Sequence, residues 1–285
     1  MTATVTSLDA MRSQVKIETV TITPAMATKM LEANTINRPL SDAHVHRIAR
    51  QITEGKWKFN GDTIKIADTK DVVDGQHRLW AIIEASRPVE TIIVHGVSRD
   101  SFATLDTIRK ARSGSDILAL MPNAPPARGK TIAAALKLLV SYQRTKGNLK
   151  LMSKPDMRVE NSDVQDAFVH HPNIVEAVNR VHKLGDIVAL SVAAFVFYIA
   201  VSRNEPLAEE MIEVLHAPAG IAQSNPFFKL RHALLASREK RKTNTLEQTA
   251  LMFKALNAAK SGKRVEKIMW KQQGSMAEEF PKLVI

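Results

Sequence analysis

Cysteine is absent from all 285 residues. That excludes disulfides, cysteine-ligated zinc and a cysteine nucleophile. It also fits the cytoplasm, the expected location, where disulfides are rare. Long apolar runs are missing as well. The longest, Ile187 to Val201, falls short of the roughly 20 residues a membrane helix needs. It is therefore expected as a buried core helix, and no membrane partner is expected. Met1 to Gln14 is mostly polar and lacks the apolar core of a signal peptide. Beyond residue 130 strand patterns are weak, and no repeat with a period of roughly 20–50 residues recurs.

What is present is ordinary in amount and uneven in placement. A hydrophobic content of 45% suits a globular chain, long enough for one large domain or two ordinary ones. The formal net charge is +11, and residues 228–271 carry most of it, with 12 Lys and Arg against 3 Asp and Glu. Localised positive charge favours polyanions such as DNA; the alternative is a solvated basic face. The excess has two parts. Lys240, Arg241 and Lys242 read as an exposed connector. Lys263, Arg264 and Lys267 flank Ile268-Met269-Trp270. A Trp among cations either stacks on a base or anchors a terminal helix to the core.

One stretch concentrates chemistry. Val72-Val73 reads as a buried strand, Asp74-Gly75 as a turn, and Leu79 to Ile83 as a helix. The first amides of a helix lack internal partners and carry partial positive charge, so this setting suits phosphate. Gly75 permits a tight turn and close backbone approach. Arg78 offers a fork of donors matched to phosphate oxygens, and His77 a titratable donor. The plainer reading is a turn followed by an amphipathic helix with a surface arginine.

Asp74-Gly75-Gln76-His77-Arg78-Leu79-Trp80-Ala81 resembles the signature of the ParB/sulfiredoxin-like superfamily, in the variant whose motif reads Asp-Gly-Gln-His-Arg. The resemblance covers roughly residues 17–120. It implies an α+β ParB/sulfiredoxin-like nucleotide-binding domain in which this loop holds nucleotide phosphates through Gly75, Gln76, His77 and Arg78. Sulfiredoxin chemistry is excluded, because Gln76 stands where that reaction needs a thiol. The loop before the strand pair faces the nucleotide in such folds, so Asn60 and Asp62 either orient a base or metal ion or serve turn chemistry alone. A polar-Pro-Arg stretch of the family sits near Asn37-Arg38-Pro39, here in a different order. Asp106 to Leu118 resembles a second motif of the group, which makes Arg112 and Ser113 a second phosphate clamp; the plainer reading is a helix cap and a surface cluster. The late Trp270 and Phe280-Pro281 resemble the C-terminal pattern of phage and actinobacterial proteins with this domain.

Along the chain, residues 1–16 read as a flexible tail and 17–121 as the α+β domain. Val15 to Ile22 alternates as a strand, and Ala25–Ala33 is a short helix. Ser41 caps a helix whose apolar face is Val45, Ile48, Ala49 and Ile52. His44 and His46, two apart, point in different directions on it. Thr63–Ala67 and Val72-Val73 form a hairpin-like pair, and Glu90–Val94 is a further strand. Asp100 caps a short helix. The proline-containing stretch 122–129 is the expected linker. Residues 130–285 are expected as an all-α domain, with capping boxes at Ser162–Gln165 and Thr245–Gln248 and a helix opened by Pro172.

Three functions are open. The first is a Mg²⁺-dependent NTP hydrolase, kinase-type phosphotransferase or nuclease acting on or with DNA. Its catalytic groups would be Asp74, His77 and Arg78, its metal ligands Asp62 and Asp74, and its nucleotide ATP or CTP. Asp74, Asp62 or Glu54 would orient water or the metal. The second is a non-catalytic DNA-binding regulator switched by nucleotide, homodimerisation being compatible with either. The third is a scaffold with a vestigial site.

Overall fold

The computed structural model describes residues 15–32, 40–98, 113–121, 123–125, 127–239 and 244–285. The chain is α+β and mostly helical, with eleven helices and one mixed four-stranded sheet among those residues. It divides into two compact units, Met1–Lys110 and Ala111–Ile285.

In the first unit the order is β1 (Lys16–Ile22), α1 (Pro24–Glu32), α2 (Asp42–Thr53), β2 (Thr63–Ala67), β3 (Val72–Asp74), α3 (Gln76–Ala85) and β4 (Val89–Val97). The sheet order is β1-β4-β2-β3. β1 runs antiparallel to β4 from Lys16↔His95 to Ile22↔Val89. β2 runs parallel to β4, so the chain must cross over between them, and it does so through β3 and α3. Each element matches its local pattern. Val45, Ala49 and Ile52 are the buried stripe of α2. Leu79, Ala81 and Ile82 are the buried side of α3, and with Ile22, Ile64, Val72 and Ile93 they close one core.

The β2–β3 pair is antiparallel, as the hairpin pattern predicts, with Lys65 opposite Asp74 and a register shift between Lys65 and Ile66. Antiparallel pairing puts the start of β2 and the end of β3 at one end of the sheet. Asn60-Gly61-Asp62 therefore lies at the same end as Asp74-Gly75. The turn Asn60–Asp62 is built by an Asx contact, the Asp62 backbone N–H donating to Asn60 Oδ1 at 2.9 Å.

The second unit is all helical among its described residues: α4 (Gly114–Ala119), α5 (Gly129–Arg144), α6 (Asn161–His170), α7 (Ile174–Arg180), α8 (Leu190–Val201), α9 (Glu205–His216), α10 (Pro226–Glu239) and α11 (Thr245–Lys260). It begins upstream of the expected linker. Leu118 of α4 is fully buried in the helical core, so α4 folds with the helices C-terminal to it. α8 is the hydrophobic run of the sequence. It packs on α5, α7, α9 and α11, and Val192 to Val196 are fully buried. Large apolar side chains stabilise by about 1.5–3 kcal/mol each when removed from water, so a helix surrounded on all sides needs no polar face. No helix among the described residues is long and apolar enough to cross a membrane.

Three expected helix starts shift. α6 opens at Asn161 with Glu160 at its cap, the Glu160 N–H donating to Asp163 Oδ2 at 2.8 Å; Ser162 lies inside the first turn. α11 is capped by Asn244, whose Oδ1 accepts from the Leu246 N–H at 2.8 Å, rather than by Thr245. At α11 the asparagine carboxamide is a better cap than the threonine hydroxyl that follows it, and at α6 the Asp163 carboxylate fixes the start by accepting from the Glu160 N–H. Pro172 precedes α7, whose cap residue is Asn173.

After Lys260 the chain has neither helix nor strand, yet it is firmly attached. Ile268, Trp270, Phe280 and Leu283 are buried. The expected terminal helix is therefore replaced by an irregular strap. Trp270 stands edge-on to Phe280 and donates its indole N–H to the Glu279 carbonyl at 2.9 Å. The base-stacking alternative for Trp270 fails, because a ring only 6% exposed has no face left for a base.

Candidate functional site

The Asp-Gly turn is built around a position only glycine fills well. Gly75 sits at φ +103°, in the left-handed region. A Cβ there would also stand 2.9 Å from Ile64 Cγ1 and 3.3 Å from the Ile64 Cα. The turn is thus pressed against β2 where α3 begins. Gly75 caps α3 with no side chain, and its carbonyl accepts from the Arg78 and Leu79 amides.

Two helix N-termini meet here. Ser41, the cap residue of α2, donates its backbone N–H to His77 Nε2 at 3.1 Å. His77 is the second residue of α3 and is buried. Its ring lies 4.9 Å from that of His44 in the first turn of α2. The positive ends of two helix dipoles therefore converge on one spot, which favours an anion. Because Nε2 accepts from Ser41, His77 holds a neutral ring with its proton on Nδ1 in this arrangement. It positions the two helices rather than offering Nε2 to a phosphate.

The charged groups repeat that preference. Asp74 accepts from Lys65 Nζ at 2.8 Å and from Arg78 Nη2 at 3.3 Å to each oxygen. Burial pushes the Asp74 carboxyl up, but the Lys65 hydrogen bond and the Arg78 charge outweigh it and hold it below its ordinary value. Two cations against one carboxylate leave a net positive cluster. Arg78 Nη1 is buried and has no hydrogen-bond partner among the described residues. A buried guanidinium N–H without an acceptor costs free energy unless a ligand supplies one.

Asp74 consequently contributes stability that is complete above about pH 4 and lost as pH falls through its lower folded value. In Asp74→Asn the first unit is less stable at neutral pH, and the deficit shrinks as pH drops from about 5 to about 2. Denaturant unfolding on a Trp270→Phe background, read by Trp57 and Trp80, measures it; a deficit constant with pH removes the assignment.

The sequence-derived residues distribute unevenly. Asp74, Gly75, Gln76, His77 and Arg78 form one turn and helix start, in which Gln76 is buried. Asn60 and Asp62 share their end of the sheet, joined to each other by Asn60 Nδ2 to Asp62 Oδ2 at 3.3 Å. Glu54 is displaced from the site. It is the C-cap of α2, at the opposite end from Ser41 of a helix about 18 Å long, and pairs with Lys56 at 3.1 Å. Asp74 is a poor Mg²⁺ ligand, since its oxygens already face two cations, and among the described residues no group of three or more His, Asp or Glu could hold a metal ion. Ser113 lies in the second unit, where its hydroxyl bonds Asp116 in the capping box of α4, with Oγ to Oδ2 at 2.7 Å. Arg38, Asp100, Asp106, Arg112, Lys240, Arg241 and Lys242 lie outside the described residues. Lys263, Arg264 and Lys267 are exposed. His44 and His46 do diverge: His46 leaves its neighbour to pair with Glu84 at 2.7 Å.

Sequence reading missed Lys65 and the bond from Ser41. Lys65 fits the alternation of its strand and is marked out only by its register opposite Asp74; the Ser41–His77 bond joins residues 36 apart and left no local trace. No family model, curated protein or solved structure matches this chain.

Proposed function

We propose that the first unit binds nucleotide phosphates at the Asp74–Arg78 turn, as a ParB-like protein would, and that nucleotide acts there mainly as a ligand that sets conformation. The observation that carries this reading is Arg78. One nitrogen is fixed on Asp74 while Nη1 is buried without an acceptor among the described residues, beside two converging helix N-termini. A phosphate oxygen supplies the missing acceptor and the missing negative charge. Lys65 adds a second cation through the shared Asp74.

Binding is favoured over turnover by what the polar groups already do. Asp74 is neutralised by two cations and His77 Nε2 is occupied, so neither is poised to activate water. Hydrolysis or phosphoryl transfer would need Mg²⁺ brought in by the phosphates, with Asp62, at the same end of the sheet, as the other carboxylate; Mg²⁺ commonly binds in that way, through one or two carboxylates plus phosphate oxygens. The partner on the other side of the switch is DNA, supported by the exposed Lys263, Arg264 and Lys267 and the concentrated charge around them.

The test is direct. ATP and CTP are titrated against the purified chain with and without Mg²⁺, and phosphate release is followed in parallel. Saturable binding is expected for at least one of them, weakened about tenfold or more in Arg78→Ala, as loss of a charge-assisted hydrogen bond implies. Absence of binding to both, or full binding by Arg78→Ala, overturns the site. Nucleotide turnover abolished by Asp74→Asn would replace the switch with the hydrolase reading.

A further inference from the structure

The second unit holds a cleft of about 760 Å³ between α5, α7, α8 and α9, separate from the nucleotide site proposed above. That volume lies within the range of small-molecule sites, about 300–1,000 Å³. Its floor is apolar and buried, formed by Leu139, Ala177 and Phe197. Its polar side is a chain of three residues from three different segments. Gln143 Nε2 lies 3.3 Å from His171 Nε2, and His171 Nδ1 lies 2.9 Å from the Tyr198 hydroxyl.

The direction of that chain is set by its first member. The Gln143 amide N–H donates, so His171 Nε2 accepts and the ring proton sits on Nδ1. His171 then donates to the Tyr198 oxygen. The Tyr198 hydroxyl hydrogen is left to donate to something else. Burial, with His170 alongside, lowers the His171 pKa, and burial raises that of Tyr198. Both rings therefore stay neutral at physiological pH.

Formal charge is confined to the rim. Arg180 is neutralised by Glu209 at 2.5 Å. Arg203 is tied to the Leu283 carbonyl at 2.8 Å, and the exposed Glu176 and Glu205 line the cleft as well. A charged ligand seated against the floor would lose hydration without gaining a counter-charge there. We infer that this cleft binds an uncharged, ring-bearing small molecule whose carbonyl or amide oxygen accepts a hydrogen bond from Tyr198. The apolar floor takes the ring, and the hydroxyl fixes its orientation.

Benzamide and its anionic counterpart benzoate are the probes, added to the full chain and followed by the aromatic NMR signals of Tyr198 and His171. Benzamide is expected to shift both signals saturably, and benzoate to bind at least about tenfold more weakly. Tyr198→Phe should weaken benzamide by about five- to tenfold, as loss of one hydrogen bond implies, with the melting temperature little changed. Ser202→Trp, an exposed substitution at the rim, should block the cleft and serves if Tyr198→Phe disturbs folding. The inference is overturned if benzamide gives no saturable shift, if benzoate binds equally well, or if both variants bind as the parent does.

Discussion

Gly75→Ala lowers the stability of the first unit by about 3 kcal/mol and removes nucleotide binding with it. Two costs combine. The residue sits at φ +103°, which an L side chain adopts only under strain, and the new methyl would meet Ile64 at 2.9 Å. Ile64 is itself fully buried, and the next nearest atom is in its own backbone, so it has nowhere to move. Relief must come from shifting the start of α3 away from β2. That shift carries Arg78 and His77 out of register with Asp74 and Ser41, so binding fails beyond what the stability loss alone explains. Urea unfolding on a Trp270→Phe background gives the first quantity, since only Trp57 and Trp80 then report. Nucleotide titration at a temperature where the variant is folded gives the second. An alanine variant that unfolds within about 1 kcal/mol of the parent would mean the turn is less tightly pressed against the sheet than the geometry says.

How far this was legible in the sequence differs by kind of signal. The strand-turn-helix around Asp74-Gly75 was readable because every contributor is local: a β-branched pair, a turn dipeptide and an amphipathic run. The hairpin and the stripe on α2 were readable for the same reason. The orientation of His77 was not, because it depends on Ser41 arriving from another helix. Lys65 looked like ordinary strand alternation until the register placed it opposite Asp74. The His171–Tyr198 pair was invisible in the sequence, since helix packing alone brings together residues 27 apart. Caps were misplaced by a residue or two because neighbouring polar side chains, Asn244 beside Thr245 and Glu160 beside Ser162, both fit the pattern. The expected terminal helix failed for a further reason. The segment has apolar anchors, but its backbone is fixed by side chains of the helices beneath it.

That dependence sets the second large effect, expected for Trp270→Ala. The strap from Lys263 to Ile285 lacks a backbone ladder of its own, so other groups must satisfy its carbonyls. Lys150 donates to the Glu278 carbonyl at 2.7 Å and also stands 5.5 Å over the Trp270 ring. Asn257 donates to the Lys282 carbonyl and accepts from the Val284 N–H. Lys254 bonds the Met269 carbonyl and the Glu278 carboxylate. Trp270 is the residue that places all of these, because its ring is buried beside Phe280, which in turn meets Phe253 of α11 at 5.8 Å. Truncating it leaves a cavity of indole size and frees the strap, at about 3–5 kcal/mol, visible as an earlier melt of the far-ultraviolet helical signal. The basic residues ride on the same strap, so DNA affinity should fall as well. Replacing Lys263, Arg264 and Lys267 together by glutamine separates the two effects. These side chains are exposed, so melting should be nearly unchanged. The salt dependence of DNA binding should become shallower by about one unit of slope for each phosphate no longer neutralised. If the triple variant keeps its salt slope while Trp270→Ala loses DNA binding, the strap matters to DNA only through folding, and the charge in 263–267 is a solvated face.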